Sequence, residues 1–298
     1  MTTAPSQVRM IVGYDGSPQA SAAIEAGAAL FPAAHVWITQ LWTPPFASES
    51  LRRRLWTGTG HLDEFVVAVE REGEREAERL AANGVTLARA AGWAAEPLIR
   101  RTYGGEGVQF GQLAGELGAD LVLVGSRGLG GTRAVLGSVS DMVTHYSPRP
   151  VLVVPHPLLA AETAALADGP VLVGWDGSTG AGQAYAAARR LFPARELLVV
   201  SVDRAAPEPP DVSDATGGKV TVVHVDSRHQ GTASAVAEAL IGYARTQAAA
   251  VIVVGSRGRS AVREILLGSV AMATLHHSHR PILVVPHADV APAQEPGV

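Results

Sequence analysis

LVLVGSRGLGGTRAVLGSVSDMVTHYSPRPVLVVPH, residues 121–156, returns as VIVVGSRGRSAVREILLGSVAMATLHHSHRPILVVPH at residues 251–287. The same glycines stand after the same apolar run, and the same Arg-Pro precedes the same Leu-Val-Val-Pro-His. Working outward, GYDGS at 13–17 recurs as GWDGS at 174–178, and Phe31-Pro32 recurs as Phe192-Pro193. A repeat of this length means one structural unit encoded twice, with two copies of one candidate binding site.

The spacing of apolar runs sets the class. In the first copy Val8–Tyr14, Val36–Trp42, Glu96–Arg101, Leu121–Val124 and Val151–Val154 read as strands. Between them Gln19–Leu30, His61–Ala82, Glu106–Leu117 and Ser138–Tyr146 read as helices. Glu and Arg crowd residues 70–79 of the second helix, and Asn83-Gly84 reads as its stop. Runs continuous in Leu and Val are those of strands covered on both faces. Strand and helix in alternation imply a parallel sheet with right-handed crossovers.

The second copy is shorter: Asp15 to Gly125 is 110 residues, Asp176 to Gly255 only 79. The shortfall falls between the second and third strands. There Asp203–Gly218, rich in Pro, Gly and Asp, replaces the long charged helix. The expected division is a first domain at 1–157, a linker at 158–169 and a second domain at 170–298, with frayed ends at 1–6 and 288–298.

Composition narrows the function. Of 298 residues, 47% are hydrophobic and 17% charged, enough to bury two cores. A net charge of −4 gives no general attraction to nucleic acid or an anionic membrane. Cysteine is absent, so disulfides and thiolate ligands are excluded. No apolar run reaches the ~18 residues of a membrane span. The N-terminus carries no apolar signal segment, and a soluble cytoplasmic protein is expected.

The chemistry concentrates in the glycines. Gly125, Gly128 and Gly137, with Ser138, follow a buried strand and open a helix; Gly255, Gly258, Gly268 and Ser269 do so in copy two. Such a loop turns backbone N–H groups toward an anion, and the helix end adds a positive dipole. Asp15 and Asp176 stand just past the first strand of each copy, at the edge where doubly wound sheets bind ligands. Each carboxylate is a candidate for a ribose hydroxyl or an adenine amine, and equally for an Asx turn ahead of Ser17 and Ser178.

Taken together, Asp-Gly-Ser after strand one, Gly-x2-Gly-x9-Gly-Ser after strand four and the terminal Arg-Pro-x-Leu-Val-Val-Pro resemble the universal stress protein family. The resemblance covers both copies and points to the ATP-binding subclass in tandem. It implies an α/β fold of two doubly wound five-stranded parallel sheets, each ordered 3-2-1-4-5 with helices on both faces. A pseudo-twofold axis would relate them, with the fifth strands, Val151–Val154 and Ile282–Val285, meeting across it. It further implies nucleoside contacts from Asp15 and Asp176, and an adenine border at Leu41 and Val202. The ribose and phosphates would lie among Gly125, Arg127, Gly128, Gly137, Ser138, Val139 and Ser140. In copy two they would lie among Gly255, Arg257, Gly258, Gly268, Ser269 and Val270.

Two departures distinguish the copies. Eight residues separate Gly128 from Gly137, one fewer than the family spacing; nine separate Gly258 from Gly268. Ser140 has no partner hydroxyl in copy two, where Ala271 aligns.

Rival mechanisms lack their residues. A dinucleotide fold would place its glycine loop after strand one. A Walker loop needs Gly-Lys-Ser/Thr, and the single lysine, Lys219, precedes Val220. His276, His277 and His279 read as a solvated loop rather than a metal site, and Arg52-Arg53-Arg54 as a solvated charge run. With no nucleophile–base pair and no carboxylate dyad, the expectation is a sensor or regulator, not an enzyme, with any ATP hydrolysis slow and incidental. It would bind an adenine nucleotide, ATP with Mg²⁺ as a candidate companion, and act on an unknown protein partner. The internal pair of copies, with a further homodimer as an option, sets its assembly. A scaffold working through protein contacts without nucleotide is the competing expectation.

Overall fold

A computed structural model describes residues 7–43, 62–126, 138–210, 218–227, 231–258 and 267–287. The first copy runs β1 (Arg9–Gly13), α1 (Pro18–Leu30), β2 (His35–Trp42), α2 (Leu62–Ala90), β3 (Ala94–Arg101), α3 (Glu106–Glu116), β4 (Leu121–Gly125), α4 (Ser138–Tyr146) and β5 (Val151–Val154). Helix α5 (Ala160–Asp168) follows. The second copy runs β6 (Val171–Gly174), α6 (Thr179–Leu191), β7 (Leu197–Val202), β8 (Val220–Val225), α7 (Ala233–Thr246), β9 (Val251–Gly255), α8 (Ser269–His277) and β10 (Ile282–Val285). The sequence-based boundaries of the five first-copy strands agree to within two residues, and Ile282–Val285 agrees at both ends.

All ten strands form one sheet, ordered β3-β2-β1-β4-β5-β10-β9-β6-β7-β8. Each half is the 3-2-1-4-5 order, parallel throughout. The halves join where β5 and β10 pair antiparallel, Leu283 opposite Leu152. The expected meeting of the fifth strands is thus a hydrogen-bonded ladder.

Two cores line the two faces of this sheet, and both cross from one copy to the other. Met10, Val12, Leu121, Leu123, Leu152, Val171 and Leu283 face α1 and α6 on one side. Ile11, Val122, Val124, Val151, Ile252 and Ile282 face α3, α4, α7 and α8 on the other. Alternate residues of one strand serve opposite cores because strand side chains alternate, and burial on both faces explains the unbroken Leu/Val runs.

Two expectations are corrected. Helix α2 does not stop at Asn83-Gly84 but continues to Ala90. Gly84 sits where the helix crosses the sheet: a Cβ there would lie 2.6 Å from Ile38 Cγ2 and 2.8 Å from Tyr14 Cδ1. The glycine permits close helix-on-sheet approach, and the chain turns instead at Gly92, with φ +95°. The second correction concerns 158–169, read as a linker, which contains α5. This helix packs on α1, and Arg195 donates to the carbonyls of Leu166, Ala167 and Gly169 at its C-terminal end. Arg280 of copy two reaches the same helix, 3.5 Å from Glu162, with both side chains buried.

Copy two has no counterpart of α2 among its described residues. Trp175 and Tyr185 stand where copy one has Tyr14 and Ile24, and their rings meet edge-on at 6.1 Å. Bulkier aromatic residues occupy space next to a missing helix.

Candidate functional site

The site in copy two begins where β6 ends. Gly177 takes φ +76°, and the Oδ1 of Asp176 accepts from the Ser178 backbone N–H at 2.9 Å. Ser178 then caps α6, its hydroxyl accepting from Ala181 N–H. Asp15 and Ser17 repeat this arrangement ahead of α1. The Asx-turn role is therefore real in both copies, and it uses only one carboxylate oxygen. The other oxygen of Asp176 faces the glycine loop: a Cβ on Gly258 would lie 3.0 Å from Oδ2.

Close backbone approach explains the remaining glycines. A Cβ on Gly255 would lie 2.6 Å from the Gly180 carbonyl oxygen, and one on Gly180 would lie 2.1 Å from that of Arg257. The first turn of α6 is thus pressed against the loop leaving β9. A Cβ on Gly125 in copy one would likewise lie 2.5 Å from the Gln19 carbonyl oxygen. At the far end of the loop Gly268 N–H donates to Ser256 O at 2.5 Å, bringing the start of α8 back beside β9. Gly268 caps α8 without a side-chain hydrogen bond, so the helix presents N–H groups and the exposed Ser269 hydroxyl at this point.

A cavity of about 470 Å³ opens there. Asp176, Val202, Gly255, Arg257, Gly258, Gly268, Ser269 and Val270 all line it, so every copy-two residue singled out from the sequence falls in one place. Trp175 also lines it, and so do Arg204, Val236, Leu240 and Met272, which the sequence reading missed. Trp175 was legible as the aromatic beside Asp176. Arg204 lies two residues past Val202, and nothing in its local sequence sets it apart. Trp175 Nε1 donates to Pro207 O at 2.6 Å, and Pro207 Cδ would lie 3.1 Å from a Cβ on Gly177. The loop after β7 is stapled across the Asp-Gly-Ser turn; in copy one Leu80 of α2 covers the equivalent Gly16.

In copy one Asp15, Gly125, Val139 and Leu41 occupy matching positions, and Ser138 opens α4. Arg127, Gly128 and Gly137 lie outside the described residues, as do Arg52-Arg53-Arg54 and the two chain ends. Ser140 is placed apart from the phosphate role expected of it. It is buried and its hydroxyl donates to the Gly125 carbonyl at 2.7 Å, tying α4 to β4. His276 and His277 close the last turn of α8 rather than standing in a loop. Among the described residues no group of three or more His, Asp or Glu side chains could hold a metal. No helix among them is long and apolar enough to cross a membrane.

A doubly wound half-sheet, written twice and joined through its fifth strands, with a glycine loop after strand four, defines a class of α/β protein with paired sites at the sheet edge. The universal stress protein family model matches residues 8–155 and 221–286, and the chain belongs to that family as a tandem member. A universal stress protein from Archaeoglobus fulgidus DSM 4304 superposes with a TM-score of 0.61 at 20% identity, over 93% of this chain and 98% of its own. A putative universal stress protein from Pseudomonas aeruginosa UCBPP-PA14 matches 94% of both chains with a TM-score of 0.52 at 14% identity. A universal stress protein solved in complex with cAMP matches 49% of this chain and 96% of its own, at 25% identity and a TM-score of 0.33.

Proposed function

We propose that this protein is a nucleotide-responsive stress regulator in which copy two binds ATP. One observation carries the reading: a single cavity gathers the glycine loop, the uncapped start of α8, Ser269, Asp176 and Arg257. Phosphates fit the α8 end, where N–H groups, a hydroxyl and an arginine converge. The ribose fits Asp176, whose second oxygen faces that loop. The base fits the apolar wall of Val200, Val202, Val236 and Leu240.

Mg²⁺ fits this donor set only as a companion of the phosphates. Among the described residues the cavity lining offers one carboxylate, and Mg²⁺ is commonly held by one or two carboxylates with phosphate oxygens and water. It would there neutralise phosphate charge. Asp176 Oδ1 is engaged by the Ser178 N–H, and among the described residues no second carboxylate lines the cavity to act as a base. A binding role, with hydrolysis incidental, is the function this arrangement supports.

In the proposed mechanism nucleotide bound at Gly258 and Gly268 alters a surface read by a partner protein. Copy one, with its shorter loop and its Ser140 hydroxyl already engaged, is the weaker site. Titrating nucleotide-stripped protein with Mg-ATP while following Trp175 fluorescence tests the reading. A saturable change abolished by Gly258→Val supports it. No change, with no heat in calorimetry, favours a nucleotide-free scaffold.

A further inference from the structure

The end of the copy-two cavity farthest from the glycine loop is built in an unusual way. Asp203, directly after β7, has φ +61°, a region that non-glycine residues seldom enter. Across it the Arg204 N–H donates to the Val202 carbonyl at 2.7 Å, closing a γ-turn of the rare positive-φ kind. The strained residue is held by its own side chain: Oδ1 accepts from Ser227 N–H at 2.6 Å and Oδ2 from Ser227 Oγ at 2.7 Å. Strain maintained by surrounding bonds clusters at functional sites. Here the turn places Arg204 on the cavity lining.

The sheet order locates this end chemically. β7 lies two strands from β9, so Arg204 stands about 10 Å along the sheet edge from the glycine loop. A nucleotide with its phosphates at α8 carries its base to the β7 end. There the Val202 carbonyl accepts from Arg204 N–H, which occupies one of its two lone pairs. The added guanidinium contributes only donors. Among the described residues it makes no hydrogen bond or ion pair. In copy one the corresponding residue is Thr43, so the donor end is peculiar to copy two.

We infer that Arg204 is a base-specificity residue and that copy two accepts 6-oxopurine nucleotides, guanine or hypoxanthine, alongside ATP. The warrant is complementarity: a guanidinium pairs in bidentate fashion with the O6 and N7 acceptors of a 6-oxopurine, whereas adenine offers N7 beside an amino donor. The inference rests on the nucleotide reading above and goes beyond its adenine assignment.

The test titrates full-length, nucleotide-stripped protein with ATP, GTP and ITP, subtracting the signal that persists in Gly258→Val so that copy two is read alone. Arg204→Thr installs the residue of copy one at an exposed position, and circular dichroism verifies its fold. In the native protein GTP and ITP are expected to bind within about threefold of ATP. Arg204→Thr is expected to weaken both by about tenfold and to leave ATP within about threefold, as the loss of one bidentate pair predicts. ITP lacks the 2-amino group, so parallel behaviour of GTP and ITP assigns the effect to the O6/N7 edge. ATP binding with GTP and ITP rejected overturns the inference and leaves the nucleotide reading standing. Equal weakening of all three by Arg204→Thr also overturns it, because the side chain would then act on phosphate. Binding of none of them removes both readings.

Discussion

Phe31 and Phe192, the same residue of the two copies, meet ring to ring with centroids 5.0 Å apart and planes tilted by 33°. Each ends the first helix of its copy, and each is buried. Beside them Arg190 of copy two pairs with Asp120 of copy one at 2.6 Å. The repeat therefore closes on itself on the α1/α6 face as well as through β5 and β10.

Truncating either ring opens a void shared by both copies. Phe192→Ala is expected to cost about 3–5 kcal/mol in urea unfolding. A cycle with Phe31→Ala should show a coupling of about 0.5–1.5 kcal/mol, the usual worth of an aromatic pair beyond its buried area. Strict additivity would mean that the rings touch without supporting one another.

At Gly84 the usual rule for helices inverts. Replacing a mid-helix glycine by alanine normally stabilises by about 1 kcal/mol. Here the new methyl meets Ile38 and Tyr14, and Gly84→Ala is expected to destabilise by about 1–3 kcal/mol through overpacking. A rise in melting temperature would contradict this packing of α2.

Glu162 and Arg280 form a buried pair between α5 and copy two, and Arg280 also donates to the Ala249 carbonyl. Burial lowers the Arg280 pKa, and the Glu162 charge partly restores it. Removing one partner strands the other charge, so Arg280→Met alone should cost about 3–5 kcal/mol. The double replacement Glu162→Leu with Arg280→Met should recover most of that loss. Equal instability of single and double variants would show that packing, not charge, dominates.

Asp203 carries a pH dependence. Its hydrogen bonds from Ser227, side chain first and then backbone, hold its pKa below the ordinary carboxylate value. A lowered folded pKa gives a contribution present above the unfolded value of ~3.9 and lost as pH falls through the folded value. The Ser227 amide should stay protected from hydrogen exchange at neutral pH and lose protection only below about pH 4. In Asp203→Ala that protection should be gone at neutral pH; its persistence would mean that the turn holds without the carboxylate.

Much of this molecule is legible in the chain. Apolar runs separated by helix-length stretches force a parallel sheet, and repetition of Gly125 and Gly255 after the fourth strand locates the sites. Gly255, Gly258 and Asp176 were legible because the repeat writes each of them twice, as Gly125, Gly128 and Asp15 in the first copy. Arg204 was not, since its place on the cavity depends on a strained turn held by Ser227, just past β8. Gly84 misled because a glycine that stops a helix and one that lets a helix approach a sheet are identical in sequence. The role of Ser140 turned the same way: a hydroxyl beside a glycine loop serves a phosphate or a carbonyl according to which lies within reach.

Local periodicity, turn residues and an internal repeat were enough to determine the alternation of strands and helices in each half and the positions of the two candidate sites, because those signals act over short spans of chain; the order 3-2-1-4-5 was implied only by the family resemblance. Folding in three dimensions alone settled the contact of Phe31 with Phe192, the anchoring of α5 by Arg195 and Arg280, and the arrival of Arg204 on the cavity lining. Each of these joins residues far apart in the chain, and such pairings follow from packing against a completed sheet.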